Sequence, residues 1–165
     1  PYPTGNVYAV GDDGTLYGVR GQDWFVAPPG KPALLRPIPG ESGPRPTHFL
    51  EADDRGRVWG GPTFGQTLFY TDAATGKTVN TRTVSDHGGE VYDVAVVDGV
   101  CYAAAYAAGE IIRFDPDAAW DQIGHVNPRT IATVTPDYIR PTGGIVAIPG
   151  DRLASGWMAK YGTFG

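Results

Sequence analysis

The stretch EADDRGRVWGGPTFGQTLFYTDAATGKTVNTRTV, residues 51–84, shows the pattern on which the fold prediction rests. Apolar or β-branched runs at residues 57–60, 67–70 and 78–84 alternate with segments rich in Gly, Asp and Pro. Those segments favour tight reversals, because Gly permits a positive φ, Pro fixes φ, and Asp hydrogen-bonds to the nearby backbone. The stretch is therefore predicted to form a small antiparallel meander.

Copies of this pattern recur along the whole sequence. Their turn glycines, Gly14, Gly56, Gly99 and Gly150, are separated by about 40 to 50 residues, the period of four-stranded propeller blades. The strands nearest the central axis are predicted at residues 7–10, 47–52, 91–97 and 145–148. Aromatic residues follow the first three turn glycines by the same interval, and Trp59 and Tyr102 are expected to be buried between blades.

These repeats predict an all-β fold, a partial β-propeller of about three and a half blades from a ring of six or seven. The chain is expected to be one domain with blades at residues 5–44, 45–86, 87–140 and 141–165, the fourth ending before its third strand. Because a blade cannot cover its own two faces, the remaining blades are expected from another chain or another segment. No window free of Gly and Pro has helical periodicity.

Composition narrows the classes of function. The net charge is −5 and the pI about 5.0, which disfavours binding to nucleic acid or to an anionic membrane. No apolar stretch approaches the length of a membrane span. The single cysteine, Cys101, lies in an apolar run and is expected to be buried. The start at Pro1, without a methionine, is compatible with processing, so the compartment stays undetermined and a secreted or periplasmic location stays open.

Three phrases carry a resemblance to a known group of proteins. They are DDRGRVW at residues 53–59, YTDAATGK at residues 70–77 and RFDP at residues 113–116. The phrases resemble blade motifs of the bacterial propellers that include virginiamycin B lyase and gluconolactonase-like proteins, and several polysaccharide lyases also use such propellers. The resemblance implies blades and, as an expectation, a carbohydrate-active enzyme.

In propellers, ligands bind where the connections between blades meet the loops between second and third strands. Residues 45–48, 86–89 and 140–143 are predicted to be such connections. The triplet Arg-Pro-Thr occurs in two of them, which places Arg45 and Arg140 on the predicted rim. Arginine binds carboxylate or phosphate groups bidentately. The structural alternative is that each arginine pairs with an aspartate of a neighbouring blade.

Histidines and aromatic residues supply the other candidate groups. His87 lies in a Gly-rich connection and is the candidate general base, with turn stabilisation as the alternative. Tyr161 is the candidate acid, whereas His48 is a candidate for substrate binding. The remaining candidates for contact with a ligand are Phe64, Tyr106, Trp157 and Lys160, although aromatic residues in propellers also form the core between blades.

Metal and phosphate sites have little support in the sequence. There is no cysteine pair, no histidine pair at ligand spacing, no calcium loop and no phosphate-binding glycine loop, and any cofactor stays undetermined. The function predicted is that of a lyase acting on a uronate-containing glycan or another small acidic ligand, with Arg45, Arg140, His87 and Tyr161 in catalytic roles. The alternative is a non-catalytic propeller that binds a glycan or a protein.

Overall fold

The computed structural model describes residues 7–20, 23–37, 45–134, 137–159 and 163–164. These residues form strands and turns and no helix. Four antiparallel sheets follow one another along the chain, and in each sheet every strand pairs with the next one in sequence. The predicted all-β partial propeller, built from consecutive meanders, is confirmed.

Sheet 1 belongs to a compact unit that spans residues 1–44. Its strands are β1 (Val7–Val10), β2 (Leu16–Arg20), β3 (Asp23–Ala27) and β4 (Leu34–Pro37). In the first turn, Gly14 has a φ of 78° and the Thr15 amide donates a hydrogen bond of 2.9 Å to Asp13 Oδ1. The turn residues thus act as the sequence predicted, with Gly at the left-handed position and Asp bonded to the backbone.

Sheets 2, 3 and 4 belong to a second compact unit, residues 45–165. Sheet 2 consists of β5 (Thr47–Ala52), β6 (Arg57–Pro62), β7 (Thr67–Asp72) and β8 (Thr78–Thr83). Sheet 3 consists of β9 (Glu90–Val97), β10 (Val100–Tyr106), β11 (Glu110–Phe114) and β12 (Arg129–Thr133). Residues 115–128 form the predicted insertion before β12, where the Asn127 side chain bonds both to the amide and to the carbonyl of Asp115 at 2.8 Å.

Sheet 4 corrects two predictions. Its strands are β13 (Tyr138–Ile148), β14 (Arg152–Ala159) and β15 (Thr163–Phe164). The prediction that the chain ends before a third strand is wrong, because β15 pairs with Met158 and Ala159. The prediction of a connection at residues 140–143 is also wrong, because these residues lie inside β13, where Pro141 pairs with Trp157 and the register then shifts before Ile145. An extended but bulged strand accommodates Pro141 and the two glycines that follow it.

The three sheets of the second unit pack face to face in chain order, with β9 beside both β5 and β13. Side chains alternate across β10, so both of its faces are covered. Cys101, Ala103 and Ala105 join the core between sheets 2 and 3, whereas Ala104 joins Ile145 and Trp157 between sheets 3 and 4. The buried state predicted for Cys101 is confirmed, since its exposed fraction is 0%.

The two repeat aromatics differ in burial. Trp59 is fully buried and its ring lies 4.7 Å from that of Tyr70, so the prediction for Trp59 is confirmed. Tyr102 packs against the smaller core but is only half-buried, because one side of it lines a cleft of about 650 Å³ between sheets 3 and 4. Tyr102 is therefore less completely buried than Trp59, although it is not exposed.

Polar groups tie sheets 2 and 3 together at the end that carries the tight turns. Asp53 accepts hydrogen bonds from Arg57 Nε at 2.6 Å and from Trp59 Nε1 at 2.9 Å. Arg57 also donates to the Gly99 carbonyl at 3.3 Å, and Arg55 donates to the carbonyl of Asp98. The DDRGRVW phrase therefore supports the junction between sheets through its carboxylate and guanidinium groups, and we call this end the turn end.

Candidate functional site

The opposite end of the second unit, here called the connection end, contains most of the candidate residues. The first strand of each sheet begins there and the second strand ends there, because neighbouring strands are antiparallel. His48 lies near the start of β5, Tyr92 near the start of β9 and Arg140 near the start of β13, whereas Tyr106 is the last residue of β10. Three sheets thus contribute to one region.

The Arg140 guanidinium lies among aromatic rings. Its carbon is 4.9 Å from the ring centre of Tyr106 and 5.9 Å from that of Tyr92. Both distances fall within the range of cation–π attraction. Within the described part of the chain Arg140 has no ion pair, and its Nε is buried without a hydrogen-bond partner. The arginine is therefore positioned by rings and keeps donors that a carboxylate ligand can use.

His48 and Glu90 lie beside these residues. Together with Tyr92, Tyr106 and Arg140 they form what we call the rim cluster. The His48 ring meets the Tyr92 ring edge-on, with 5.0 Å between centroids. Glu90 is buried and accepts a hydrogen bond of 2.9 Å from the Phe64 amide. The cluster combines a cation, an imidazole and two phenols with one carboxylate that is already bonded to the backbone.

Burial and a neighbouring carboxylate shift the pKa of Tyr92. Burial raises this pKa above the usual range, and the Glu90 carboxylate raises it further, although Arg140 acts in the opposite sense. A phenol is protonated at neutral pH even without such a shift, and the raised pKa makes Tyr92 a weaker acid than a free tyrosine. Its hydroxyl can donate a hydrogen bond to a ligand.

Gln66 connects the loops of the connection end. Its Nε2 donates hydrogen bonds of 2.6 Å to the Tyr106 carbonyl and 3.5 Å to the Gly88 carbonyl. The Ala107 amide also donates to the Gly88 carbonyl, at 3.1 Å. Gly89, with a φ of 123°, lies so close to Tyr106 that a Cβ there would overlap the Tyr106 carbonyl oxygen. The connection that carries His87 is thereby held against the end of β10.

A second polar group, which we call the Glu110 cluster, lies beside that connection and consists of Ser85, His87, Glu110 and Thr130. Glu110 is 2% exposed and accepts hydrogen bonds from Ser85 Oγ at 2.5 Å and from Thr130 Oγ1 at 2.7 Å. His87 Nδ1 lies 3.2 Å from Glu110 Oε1, and the His87 side chain is 43% exposed. One imidazole nitrogen thus contacts a buried carboxylate, while much of the ring remains accessible to solvent.

Several predicted site residues lie elsewhere. Arg45 is exposed and lines a cleft of about 160 Å³ with residues of sheet 2, and Arg140 is not part of the lining of that cleft. Trp157 is 6% exposed and belongs to the core with Ile145, so it is not a surface platform. Phe64 is 76% exposed at the connection end and remains a candidate for contact with a ligand. Lys160 and Tyr161 fall outside the described residues.

Sequence reasoning missed Glu90, Tyr92 and Glu110. Each lies within or at the start of a strand that was predicted only as a structural element. For Glu110 a signal was present, because a carboxylate opens the apolar run EIIRF and follows the left-handed Gly109. A charged residue at a strand start that becomes buried requires partners, and the nearby Ser85 and His87 were the available ones.

No group of three or more His, Cys, Asp or Glu side chains within the described residues is arranged as a metal ion would require. Nor does that part of the chain contain a helix long and apolar enough to cross a membrane.

Comparisons with known proteins do not assign the chain to a family. No protein-family model matches it, and no curated protein does. Among solved structures it is similar to a chain described as the crystal structure of the tricorn protease, with 18% sequence identity and a TM-score of 0.45. The match covers 94% of this chain and 14% of that chain. The resemblance to the virginiamycin B lyase and gluconolactonase-like group therefore stays a prediction.

Proposed function

We propose that the rim cluster binds an acidic oligosaccharide and that the protein is a lyase acting on a uronate-containing glycan. One observation supports this above the others. Arg140, with no ion pair among the described residues, lies 4.9 Å and 5.9 Å from the ring centres of two tyrosines. A guanidinium beside aromatic rings suits a ligand that has both a carboxylate and a sugar ring, because carboxylate pairs with arginine and sugar packs on aromatic faces.

The proposed reaction is an elimination next to the uronate carboxylate. A base removes the proton from the carbon that bears the carboxylate, and a carbon–carbon double bond forms to the neighbouring carbon. The bond from that neighbour to the glycosidic oxygen breaks, and the departing oxygen takes a proton from an acid. Negative charge develops on the carboxylate as the first proton leaves, so a cation beside it lowers the barrier.

The side chains at the connection end supply these groups. Arg140 would hold and neutralise the carboxylate. Tyr92, which is protonated at neutral pH as a phenol, would donate to the leaving oxygen. His87 would be the base, on the connection that Gln66 and Gly88 hold against β10. His48, against the Tyr92 ring, would contact the sugar.

A non-catalytic binding site for the same ligand is the second candidate. It is favoured by the separation of the polar groups, because His87 contacts Glu110 whereas Arg140 contacts the tyrosines. Such a site would bind acidic oligosaccharides through Arg140 and release them unchanged.

The test uses the full chain with a panel of uronate polysaccharides and follows the ultraviolet absorbance of the unsaturated product. Arg140→Gln should weaken binding of a uronate oligosaccharide by roughly 10- to 100-fold, the usual effect of losing a hydrogen bond to a charged group. Arg152→Gln is the matched control, because Arg152 is exposed at the turn end and, among the residues that the structure describes, bonds only to the Pro149 carbonyl.

The outcomes separate the two functions. Product formation that Arg140→Gln abolishes and Arg152→Gln preserves supports the lyase. Binding with the same dependence on Arg140, but without product on any polysaccharide of the panel, supports the binding module. Equal affinity in the two variants would remove the rim cluster as the site.

A further inference from the structure

We propose that Glu110 is a positioning residue that holds His87 in the tautomer protonated on Nδ1, so that the lone pair of Nε2 is available as a base. This inference deepens the proposed function and rests on it for the identity of the reaction. It concerns a carboxylate to which sequence analysis gave no role.

The geometry of Glu110 supports the proposal. Its carboxylate is buried at the start of β11, where Ser85 Oγ donates at 2.5 Å and Thr130 Oγ1 donates at 2.7 Å. Ser85 lies in the connection after β8, whereas Thr130 lies in β12. Each hydroxyl binds one oxygen of the carboxylate, so both oxygens are fixed. Oε1, which Thr130 contacts, also lies 3.2 Å from His87 Nδ1. An acceptor in a fixed position selects the imidazole nitrogen that carries the proton.

The position of His87 supports a role beyond packing. Its amide donates to Ser85 Oγ at 3.0 Å, so the same serine anchors the histidine backbone and the carboxylate. The imidazole is nevertheless 43% exposed, although its Nδ1 contacts the buried acid. A histidine that only filled space would not require a buried carboxylate with two further donors, since an unpaired buried charge is costly and a paired one needs several partners.

The tautomer can be measured directly. Histidine selectively labelled with nitrogen-15 in the full chain gives long-range proton–nitrogen correlations that distinguish the two neutral tautomers. The His87 signals are assigned by their loss in His87→Gln. At a pH where the ring is neutral, His87 should be protonated on Nδ1.

Two variants separate positioning from support of the fold. Glu110→Gln keeps the size of the side chain and removes the charge, and it should shift the His87 population toward the tautomer protonated on Nε2. Thr81→Val is the matched control, because it removes a threonine hydroxyl that accepts a hydrogen bond of 2.8 Å from the amide of the buried Leu68 and does not belong to the Glu110 cluster. Thr81→Val should lower the melting temperature while leaving the His87 tautomer unchanged.

Activity supplies the second measurement. Glu110→Gln should lower kcat by roughly 10- to 100-fold with KM nearly unchanged, the size of effect known for residues that orient a functional histidine. Thr81→Val should leave kcat within about twofold of the parent, well below the effect expected for the loss of an orienting residue. If the two variants change melting temperature and kcat alike and neither alters the tautomer, Glu110 is only a structural residue and the proposal is overturned.

The failure of this proposal is distinguishable from failure of the proposed function. A His87 tautomer that depends on Glu110, in a protein that cleaves no polysaccharide, supports the positioning role and removes the lyase. Cleavage that persists while His87 is protonated on Nε2 in the parent supports the lyase and overturns the positioning role.

Discussion

The two ends of the second unit use polar side chains in different ways. At the turn end, Asp53 accepts from Arg57 and Trp59, and Arg55 bonds to Asp98 and Asp117 of the neighbouring sheet. At the connection end, Arg140 lies beside two tyrosine rings and has no ion pair among the described residues, and His87 is half-exposed beside Glu110. Charges with complete sets of partners support the junction between sheets, whereas incompletely paired charges remain able to bind a ligand.

The largest effect on stability is expected in the core next to the turn end. Trp59 is fully buried and its indole nitrogen donates to Asp53, so Trp59→Ala should destabilise the protein by about 3 to 5 kcal/mol. Urea unfolding followed by circular dichroism measures the change. Tyr102→Ala, at a half-buried site of the same repeat position, should cost less. Equal costs would mean that burial does not distinguish the two aromatic positions.

A matched pair of glycines compares the ends directly. Gly76 at the turn end and Gly109 at the connection end both have positive φ, 71° and 68°. A Cβ on Gly76 meets nothing, whereas one on Gly109 would overlap the carbonyl oxygen of Tyr138 in sheet 4. Gly76→Ala should cost about 1 kcal/mol for its backbone conformation, and Gly109→Ala at least about twice that. The urea midpoints of the two variants, each compared with that of the parent, measure these costs. Similar midpoints for both variants would show that sheets 3 and 4 have room to separate.

Acid titration should distinguish Asp53 from Asp93. Burial opposes ionisation of Asp53, but hydrogen bonds from Trp59 and Arg57 outweigh it and hold its pKa below the usual range. Since the folded pKa is depressed, the stability that Asp53 contributes is present above the unfolded value of about 3.9 and is lost as pH falls below it. Asp53→Asn should therefore cost about 1.5 to 3 kcal/mol at neutral pH and progressively less in acid.

Asp93 supplies the opposite case for the same titration. Burial between sheets 3 and 4 raises its pKa, and its Oδ2 accepts the Ile145 amide at 3.1 Å. The ionised form of Asp93 is disfavoured in the folded state. The contribution of Asp93 to the free energy of unfolding therefore increases as pH falls through the raised pKa. Asp93→Asn should thus be nearly neutral at pH 7. Unfolding free energies of both variants between about pH 3 and 7 test this, and parallel pH profiles would contradict the assignment.

Sequence predicted the meanders well because the information is local. The runs at residues 57–60 and 67–70 became β6 (Arg57–Pro62) and β7 (Thr67–Asp72), since Gly and Asp fix the reversals between them. The start of β13 was not predictable in the same way. Pro141, Gly143 and Gly144 indicate a loop in isolation, but pairing with β14 and the register shift before Ile145 hold them in a strand.

The rim cluster was only partly predictable, for a related reason. His48, Tyr106 and Arg140 were selected as residue types near the expected rim, yet Arg45 was chosen on the same ground and lines a different cleft, with residues of sheet 2. Which side chains meet depends on the register between strands of three sheets, including a shift between Ala104 and Ala105. A one-residue shift reverses the face on which a side chain lies, and no local pattern encodes it.

Cys101 gives the chain an internal reporter of its own opening. It is the only cysteine in the sequence, it has no exposed surface, and burial raises the pKa of its thiol far above the usual range. The thiolate needed for alkylation is therefore scarce in the closed protein, and a reagent reaches the sulfur only when β10 separates from its neighbours. The rate of alkylation therefore reports how often sheet 3 opens under native conditions. When sheet 3 closes again faster than the reagent reacts, this rate yields the free energy of opening of sheet 3 without any denaturant.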